Sequence, residues 1–293
     1  MNSTLATMYP GACDCHIHIY EAGYPLAPHA TFVPPPAPVS AYQRMQKELG
    51  LTRVVVVQPT GYGFDNSCTL SALERFGDAA RGIAMLPPQA HAQTQHGDSE
   101  LARLHEAGIR GLRYMMLAGG LTSWSNLEAD AAHIASLGWH INLQLDGRDL
   151  PTHESALKNL PCKLVIDHTG KFIEPVQPDS EAFRSLCRLL DRGQCWVKLS
   201  APYETSRLGA PDYDDVALLA RTLAARYPER CLWASNWPHP NAQPRPVDAL
   251  LLDWLIRCAG NENTVEKILV GNPEAVYGFS PLSSSHRSAA GTA

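Results

Sequence analysis

Histidines stand at the ends of apolar segments of this sequence, where their rings could take part in chemistry. His16 and His18 are separated by one residue, and side-chain alternation along a strand points both imidazoles to the same face. A third histidine, His168, closes another apolar segment. Converging imidazoles suit a metal ion, a carbonyl oxygen or an anion, and the alternative for the first pair is two hydrogen-bonded core histidines.

Other polar side chains close the remaining apolar segments or follow them. Arg113 could hold a carboxylate with its planar set of donors, and the alternative is a salt bridge to a neighbouring loop. Lys171 and Arg207 are cations on loops, where a single charge is usually solvated. Together these residues predict a pocket for a small anionic molecule. The candidate substrate ligands are Gln58, Arg113, Gln144, Lys171 and Arg207.

Asn236 and His239 follow the last apolar segment and are further candidate catalytic residues. Trp237 between them is predicted to line the wall of the pocket or to lie in the core. An asparagine amide orients a nucleophile but accepts no proton near neutral pH. It is also a weak metal ligand, where a mononuclear barrel hydrolase would use a carboxylate. The sequence therefore predicts no metal and no other cofactor, with a zinc ion held by three histidines as the alternative.

Eight short apolar segments alternate with segments of helical periodicity, which is typical of βα units around a parallel sheet. The predicted strands are Ala12–Ile19, Arg53–Gln58, Gly82–Leu86, Gly111–Met115, His140–Leu145, Lys163–Asp167, Cys195–Leu199 and Cys231–Ser235. The predicted helices are Ser40–Leu49, Ser67–Phe76, Asp98–Glu106, Leu127–Leu137, Glu154–Leu160, Ser180–Asp191, Asp214–Arg226 and Val247–Cys258. This pattern predicts the α/β class and a distorted, single-domain (β/α)8 TIM barrel, whose active site lies at the carboxyl ends of its strands. An open doubly wound sheet is the alternative, but no glycine-rich phosphate loop follows the first strand.

We expect an N-terminal extension over residues 1–11, the barrel over 12–279 and a flexible tail over 280–293. The proline-rich segment Tyr24–Val39 is predicted as an ordered loop after the first strand, able to cap the mouth of the barrel.

Composition narrows the possible partners. The 293 residues are 45% hydrophobic and carry a net charge of −5, without the basic stripe that nucleic-acid binding requires. No apolar run approaches the roughly 18 residues of a membrane span. The eight cysteines are scattered, which predicts reduced core thiols in a cytoplasmic protein. No nucleic acid or membrane is expected as a partner, and the oligomeric state stays open.

Four motifs occur in an order that resembles the amidohydrolase superfamily, of the amidohydrolase 2 type. They are DCHIH at 14–18, IDHTGK at 166–171, WVKLS at 196–200 and WASNWPH at 233–239. The resemblance runs from about Gly11 to Gly278 and is to the metal-independent branch that contains 2-pyrone-4,6-dicarboxylate lactonase and D-galactarolactone isomerase. It implies a distorted barrel enzyme that acts on a carboxylate-bearing lactone in sugar-acid catabolism.

The two activities of that branch imply different details. The lactonase pattern has an aspartate, implied to activate water, where this chain has Asn236, and a second arginine that is missing from 114–120. The isomerase pattern agrees with GYP at 23–25 and YETSR at 203–207, although the His16–His18 pair is the lactonase form. We therefore expect lactone isomerisation by acyl migration, with lactone hydrolysis as the alternative and a non-catalytic barrel that binds a sugar diacid as a third interpretation.

The expected chemistry assigns separate roles to the candidate residues. His16, His18 and His168 would donate hydrogen bonds to the lactone carbonyl, while Arg113, Lys171 and Arg207 hold the distal carboxylate. Because Asn236 cannot take a proton, a tethered hydroxyl of the substrate is a better nucleophile than water, and His168 or His239 would serve as the base.

Overall fold

The structure is a computed structural model that describes residues 9–88, 94–240 and 242–281. Within these ranges eight parallel strands pair in sequence order around a barrel. The strands are β1 (Cys13–Ile17), β2 (Arg53–Val57), β3 (Ala80–Ala84), β4 (Ile109–Met115), β5 (His140–Gln144), β6 (Lys163–Ile166), β7 (Cys195–Ser200) and β8 (Cys231–Ala234). The predicted single-domain (β/α)8 barrel is confirmed.

The barrel closes beside the residues with candidate chemistry. Ile17 at the end of β1 forms a parallel bridge with Trp237, which follows β8. The backbone N–H of His18 donates to Trp237 O at 2.8 Å, and that of Asn236 donates to His16 O at 3.1 Å. These bonds place the His16–His18 and Asn236–His239 segments next to each other at the carboxyl ends of the strands.

One helix follows each strand, as predicted, and the boundaries differ most at the N-termini of the third and fifth helices. The helices are α1 (Val39–Leu49), α2 (Ser67–Phe76), α3 (Thr94–Glu106), α4 (Trp124–Ala135), α5 (Leu150–Lys158), α6 (Glu181–Asp191), α7 (Asp214–Arg226) and α8 (Asp248–Ala259). Their apolar faces pack on the outside of the sheet, so most of the hydrophobic core lies between strands and helices. No described helix has the length and apolar character needed to cross a bilayer.

Short helices that the sequence analysis did not predict close the other end of the barrel. They are α9 (Glu262–Glu266), a π-helical turn (Lys267–Gly271) and α10 (Asn272–Tyr277). Tyr277 packs edge-on against His140 of β5, with 5.3 Å between the ring centroids. Tyr277 and Phe279 belong to the same buried cluster as Cys13 and Val55 from inside the barrel. The amino-terminal end is therefore filled, and the open end is the one with the histidines.

A β-bulge in β1 determines which of its side chains point into the barrel. Asp14 lies outside, where its carboxylate accepts hydrogen bonds from Tyr42 of α1 and from Ser235. The register against β2 shifts between Asp14 and Ile17, and His16 lies inside, in contact with Lys198 of the non-adjacent strand β7. Contact across the barrel is possible only from its interior, so the bulge turns His16 inward.

The proline-rich segment Tyr24–Val39 has the irregular structure predicted for it up to the start of α1 at Val39. Tyr20 and Ala37 exchange two backbone hydrogen bonds of 3.0 and 2.8 Å, which tie the two ends of the segment together. Ala27 N–H donates to Gly61 O at 2.8 Å, so the segment lies against the turn after β2. Of the predicted tail, residues 282–293 lie outside the described ranges, as do residues 1–8 of the predicted N-terminal extension.

Candidate active site

Four strands contribute to a buried polar network around Lys198 inside the barrel. Lys198 Nζ lies 3.0 Å from Asp167 Oδ1, 3.1 Å from His16 Nδ1 and 2.5 Å from Asn142 Oδ1. Asn142 Nδ2 donates to the other carboxylate oxygen of Asp167 at 2.9 Å. The side chains of Lys198, Asp167 and His16 are all 0% exposed. A buried ion pair with well-placed neutral partners therefore forms the base of the site.

The ion pair sets the protonation of its neighbours. Burial opposes ionisation of Asp167, but the Lys198 ammonium and His16 together hold its pKa well below the ordinary value. Burial and the charge of Lys198 also hold the pKa of His16 well below its ordinary value. Asp167 is therefore an anion at neutral pH and His16 is neutral, with a lone pair on Nδ1 that accepts a hydrogen bond from Lys198.

The His16 and His18 rings face each other, and their hydrogen bonds determine their tautomers. His18 Nδ1 lies 2.8 Å from Val57 O, which only accepts, so Nδ1 carries the proton. Burial and the charge of Arg113 lower the pKa of His18 to about 3, so its Nε2 has a lone pair at neutral pH. That lone pair lies 3.3 Å from His16 Nε2, which donates to it. In this arrangement the two rings bond each other, and the role predicted for them as donors to a substrate carbonyl stays a prediction.

His168 differs from that pair in its contacts and in its backbone. Its Nδ1 lies 3.0 Å from Ser200 Oγ, which leaves Nε2 as the ring nitrogen for a ligand. Its ring centroid is 5.1 Å from that of His16. Burial lowers the pKa of His168 to about 4, so the ring is neutral at neutral pH and carries one N–H, which lies at Nε2 in the tautomer where Ser200 Oγ donates to Nδ1.

The backbone is strained at the loops that carry the candidate residues. His168 has a φ of 53° and Lys171 a φ of 49°, and Asn236 and His239 have φ values of 63° and 61°. The Cβ atom makes this left-handed region costly, least so for asparagine, and such strain is concentrated at functional sites. The surrounding barrel therefore holds these four side chains in positions that the local sequence alone would not choose.

Arg113 is a buried cation whose described hydrogen bonds go to uncharged groups. Its Nη1 donates to the backbone O of Gln58 at 2.7 Å, and its Nη2 donates to Gln144 Oε1 at 3.2 Å. Its Nε is buried without a hydrogen-bond partner among the described residues. A buried guanidinium with spare donors can bind a carboxylate, which agrees with the role predicted for Arg113.

Asn236, His239 and Lys171 lie in a second network at the outer side of the site. Asn236 Nδ2 donates to Tyr203 OH at 2.9 Å and to Glu204 Oε1 at 3.1 Å. Lys171 forms an ion pair with the same Glu204 carboxylate. Because Glu204 already neutralises Lys171, a substrate carboxylate would have to compete for this cation.

The structure does not bring three of the predicted ligands into the site as free groups. The Gln58 side chain donates to Gly63 O and Asp65 O, so its amide holds the loop after β2. Gln144 is near the site, but its oxygen accepts from Arg113. The Arg207 side chain is 64% exposed and pairs with Glu174 at 3.1 Å, away from the inner network. The roles of these residues in binding stay predictions.

Several residues of the two networks were not predicted as functional groups from the sequence. They are Asn142, Asp167, Lys198, Ser200, Tyr203, Glu204 and Asp248. Asp167 and Lys198 were visible at strand ends, and the parity of Lys198 with Ser200 on β7 places both inside the barrel. Tyr203, Glu204 and Asp248 lie beyond the strands. Nothing local in the sequence indicates that these loop residues meet.

The residues that could hold a metal are His16, Asp167 and His168, whose ligand atoms lie within 4.8 Å of one another. Both Asp167 oxygens and His16 Nδ1 are already bound by Lys198 or Asn142. A divalent ion would have to displace the ammonium or lie beside it, at a high electrostatic cost in a buried site. The donor set therefore fits a metal poorly.

Comparison with known proteins identifies the family. The sequence pattern of the family described as Amidohydrolase matches residues 13–279. D-galactarolactone isomerase of Agrobacterium fabrum is 36% identical over 280 residues, which cover 93% of this chain and 92% of that protein. 2-Pyrone-4,6-dicarboxylate hydrolase of Comamonas testosteroni is 33% identical over 280 residues, with 91% and 90% covered. An apo crystal structure of an Agrobacterium tumefaciens protein superposes with a TM-score of 0.86 at 34% identity, covering 94% of this chain and 98% of that one. The chain therefore belongs to the amidohydrolase family.

Proposed function

We propose that this protein is a lactone isomerase that moves the acyl group of a carboxylate-bearing sugar-acid lactone from one hydroxyl to another. The observation that carries the proposal is the amide of Asn236 at the end of β8, within hydrogen-bond distance of Tyr203 and Glu204. A water molecule needs a base to become a nucleophile, whereas a tethered hydroxyl benefits from an effective molarity of up to about 10⁵–10⁸ M. The 36% identity to D-galactarolactone isomerase supports the same reaction.

The geometry suggests how the chain's own residues would act on such a substrate. Arg113 binds the distal carboxylate, and the N–H at His168 Nε2 donates to the lactone carbonyl oxygen as negative charge develops there. A hydroxyl of the substrate attacks the carbonyl carbon and gives up its proton. The tetrahedral intermediate then expels the original ring oxygen, which takes up a proton. The isomerisation consumes no water and releases no net proton.

Hydrolysis of the lactone by water is the second candidate. The 33% identity to 2-pyrone-4,6-dicarboxylate hydrolase favours it, as does the presence of both His16 and His18. In that reaction Glu204 or another group would have to activate water, because Asn236 cannot.

Product analysis distinguishes the two reactions. Purified protein is incubated with galactaro-1,5-lactone and, separately, with 2-pyrone-4,6-dicarboxylate, and ring size and free acid are followed by NMR. We expect the 1,4-lactone to accumulate from the first substrate ahead of free diacid, at a rate well above the spontaneous one. Formation of the diacid at enzymatic rates without the 1,4-lactone would replace isomerisation by hydrolysis. Binding of a sugar diacid without turnover of any lactone would favour the non-catalytic interpretation.

We also propose that the reaction needs no metal, since Lys198 supplies the positive charge at the base of the site. Metal analysis of the purified protein should find well under one equivalent of zinc. Activity should be unchanged after prolonged treatment with a chelator, measured in the NMR assay. Loss of activity on chelation, with recovery on adding zinc, would contradict this proposal.

The proposed partner is accordingly a small anionic lactone. We infer a cytoplasmic location, which the eight free cysteines of the chain support, because free thiols persist in a reducing compartment.

A further inference from the structure

Three side chains form a hydrogen-bonded chain between the start of α8 and the outer side of the site. Asp248 Oδ1 at the start of α8 lies 2.8 Å from His239 Nε2, and His239 Nδ1 lies 2.8 Å from Tyr203 OH. The His239 side chain is 0% exposed, and both of its ring nitrogens are engaged. His239 therefore cannot reach a substrate directly, and it can act on one only through Tyr203.

The partners fix the direction of every hydrogen bond in this chain. The Asp248 carboxylate only accepts, so His239 Nε2 carries a proton, and in the singly protonated ring this leaves the lone pair on Nδ1. Asn236 Nδ2 only donates, and it donates to the phenol oxygen of Tyr203 at 2.9 Å. The phenol proton therefore points at His239 Nδ1. This is the arrangement of an acid–base group whose imidazole partner is oriented by a carboxylate.

Tyr203 also borders open space beside the candidate site. It lines a cavity of about 670 Å³ between the loops that follow β6, β7 and β8, together with Lys171 and Glu204. A cavity of this volume accommodates a small organic acid. Tyr203 therefore lies at the wall of a cavity that can hold a ligand of this size.

We propose that Tyr203 is the acid–base catalyst of the reaction and that His239 and Asp248 are positioning residues that act through it. This inference rests on the proposed function. The attacking hydroxyl gives its proton to the phenol oxygen as the phenol proton passes to His239 Nδ1. The resulting imidazolium is stabilised by Asp248. When the tetrahedral intermediate collapses, the departing ring oxygen takes a proton from the phenol, and Nδ1 returns its proton to Tyr203, so no net proton is gained or lost.

The surroundings of Tyr203 agree with a simultaneous transfer. Burial and the nearby charge of Glu204 raise the pKa of Tyr203 well above its ordinary value, so the resting group is the phenol and a free phenolate is disfavoured. Glu204 is the competing base. Burial opposes its ionisation, but His168 and Lys171 lower its pKa, and its oxygens are occupied by Lys171 and Asn236. A well-paired carboxylate of low pKa is a poor proton acceptor.

The test compares Tyr203→Phe, Asp248→Asn and Glu204→Gln with wild-type protein in the NMR lactone assay. Tyr227→Phe is the matched control, because the Tyr227 hydroxyl is also hydrogen-bonded, donating to Asp191 Oδ1 at 2.8 Å, but next to α6 on the outside of the barrel. We expect Tyr203→Phe to lower kcat about 100-fold or more with KM little changed. Asp248→Asn should lower kcat at least about tenfold and shift the pH dependence of kcat, since the carboxylate fixes the tautomer of His239. Tyr227→Phe should match wild type.

A second measurement does not depend on turnover. Nitrogen-15 NMR of the histidine side chains should show His239 protonated at Nε2 in wild-type protein and in Tyr203→Phe, and a changed tautomer population in Asp248→Asn. Tyr203→Phe with wild-type kcat, or a large loss confined to Glu204→Gln, would overturn the role of Tyr203 while leaving the proposed function in place. A wild-type protein that converts no lactone would overturn the proposed function and the proton relay with it.

Discussion

Replacing Lys198 with methionine should lower the free energy of unfolding by about 3–5 kcal/mol, although the two side chains are similar in length. The substitution removes the positive group next to Asp167 Oδ1, where the other described neighbour is the neutral His16. Asp167 would remain as an uncompensated charge with 0% exposure, and Asn142 Oδ1 and His16 Nδ1 would lose their donor. We expect a melting temperature lower by about 5–8 °C, measured by calorimetry at pH 7.

Two further variants show whether the loss comes from the unpaired charge. Lys163→Met removes a lysine from the outer end of β6, where Nζ donates to Ala275 O, and should cost less than about 1 kcal/mol. The double variant Asp167→Asn with Lys198→Met leaves no buried charge and should be more stable than Lys198→Met alone. A Lys198→Met protein as stable as wild type, or a double variant no more stable than Lys198→Met, would contradict the conclusion that the unpaired Asp167 charge causes the loss.

The same buried pair illustrates what the sequence could and could not predict. The alternation of apolar segments with segments of helical periodicity was enough to predict eight strands, eight helices and a barrel, because each of these signals is local and repeated. The parity of His16 and His18 predicted correctly that the two rings share a face, and the structure places both at the open end of the barrel. Lys198 entered the sequence argument only as part of the WVKLS motif at 196–200. Its burial against Asp167 depends on strands β6 and β7 being neighbours, which only the assembled barrel provides.

The bulge in β1 and the short C-terminal helices were not predictable for a related reason. An extra residue in a strand leaves no periodic signal, yet it turns His16 into the barrel while Asp14 faces α1. Helices of five or six residues, such as Glu262–Glu266 and Asn272–Tyr277, are too short to show a hydrophobic period. They are stable because they pack against the filled end of the barrel, which is a tertiary effect.

The second network, at the outer side of the site, shows a third limit of prediction from sequence, which concerns loops. Lys171 was predicted to bind a substrate carboxylate from its charge and its position near a strand end. The structure pairs it with Glu204, which lies more than thirty residues further along the chain. Charge alone did not reveal this partner, since the approach of two loops depends on backbone geometry that includes the left-handed residues Lys171 and Asn236. The same approach brings Tyr203 to His239 and so produces the proton relay.

Replacing His168 with asparagine should lower kcat about 100- to 1000-fold with little change in KM. The substitution removes the N–H at Nε2 that we place on the developing oxyanion, and the loss of one such donor typically has this effect. Asparagine also tolerates the left-handed backbone of this position, where φ is 53°, so the fold should be retained. Initial rates in the lactone assay, together with the melting temperature, measure both expectations.

A second substitution at the same position distinguishes the loss of the hydrogen-bond donor from the loss of the shape of the imidazole ring. The amide nitrogen of glutamine lies close to where Nε2 of histidine would be, so His168→Gln should recover at least about tenfold in kcat over His168→Asn if the N–H is what matters. His153→Gln, on α5 where the ring stacks on Trp124 with 3.6 Å between centroids, is the control for loss of an imidazole elsewhere and should leave kcat unchanged. Equal losses in His168→Asn and His168→Gln, both folded, would mean that His168 does not act as a hydrogen-bond donor to the carbonyl. The positive charge of Arg113 or Lys198 would then have to stabilise the oxyanion instead.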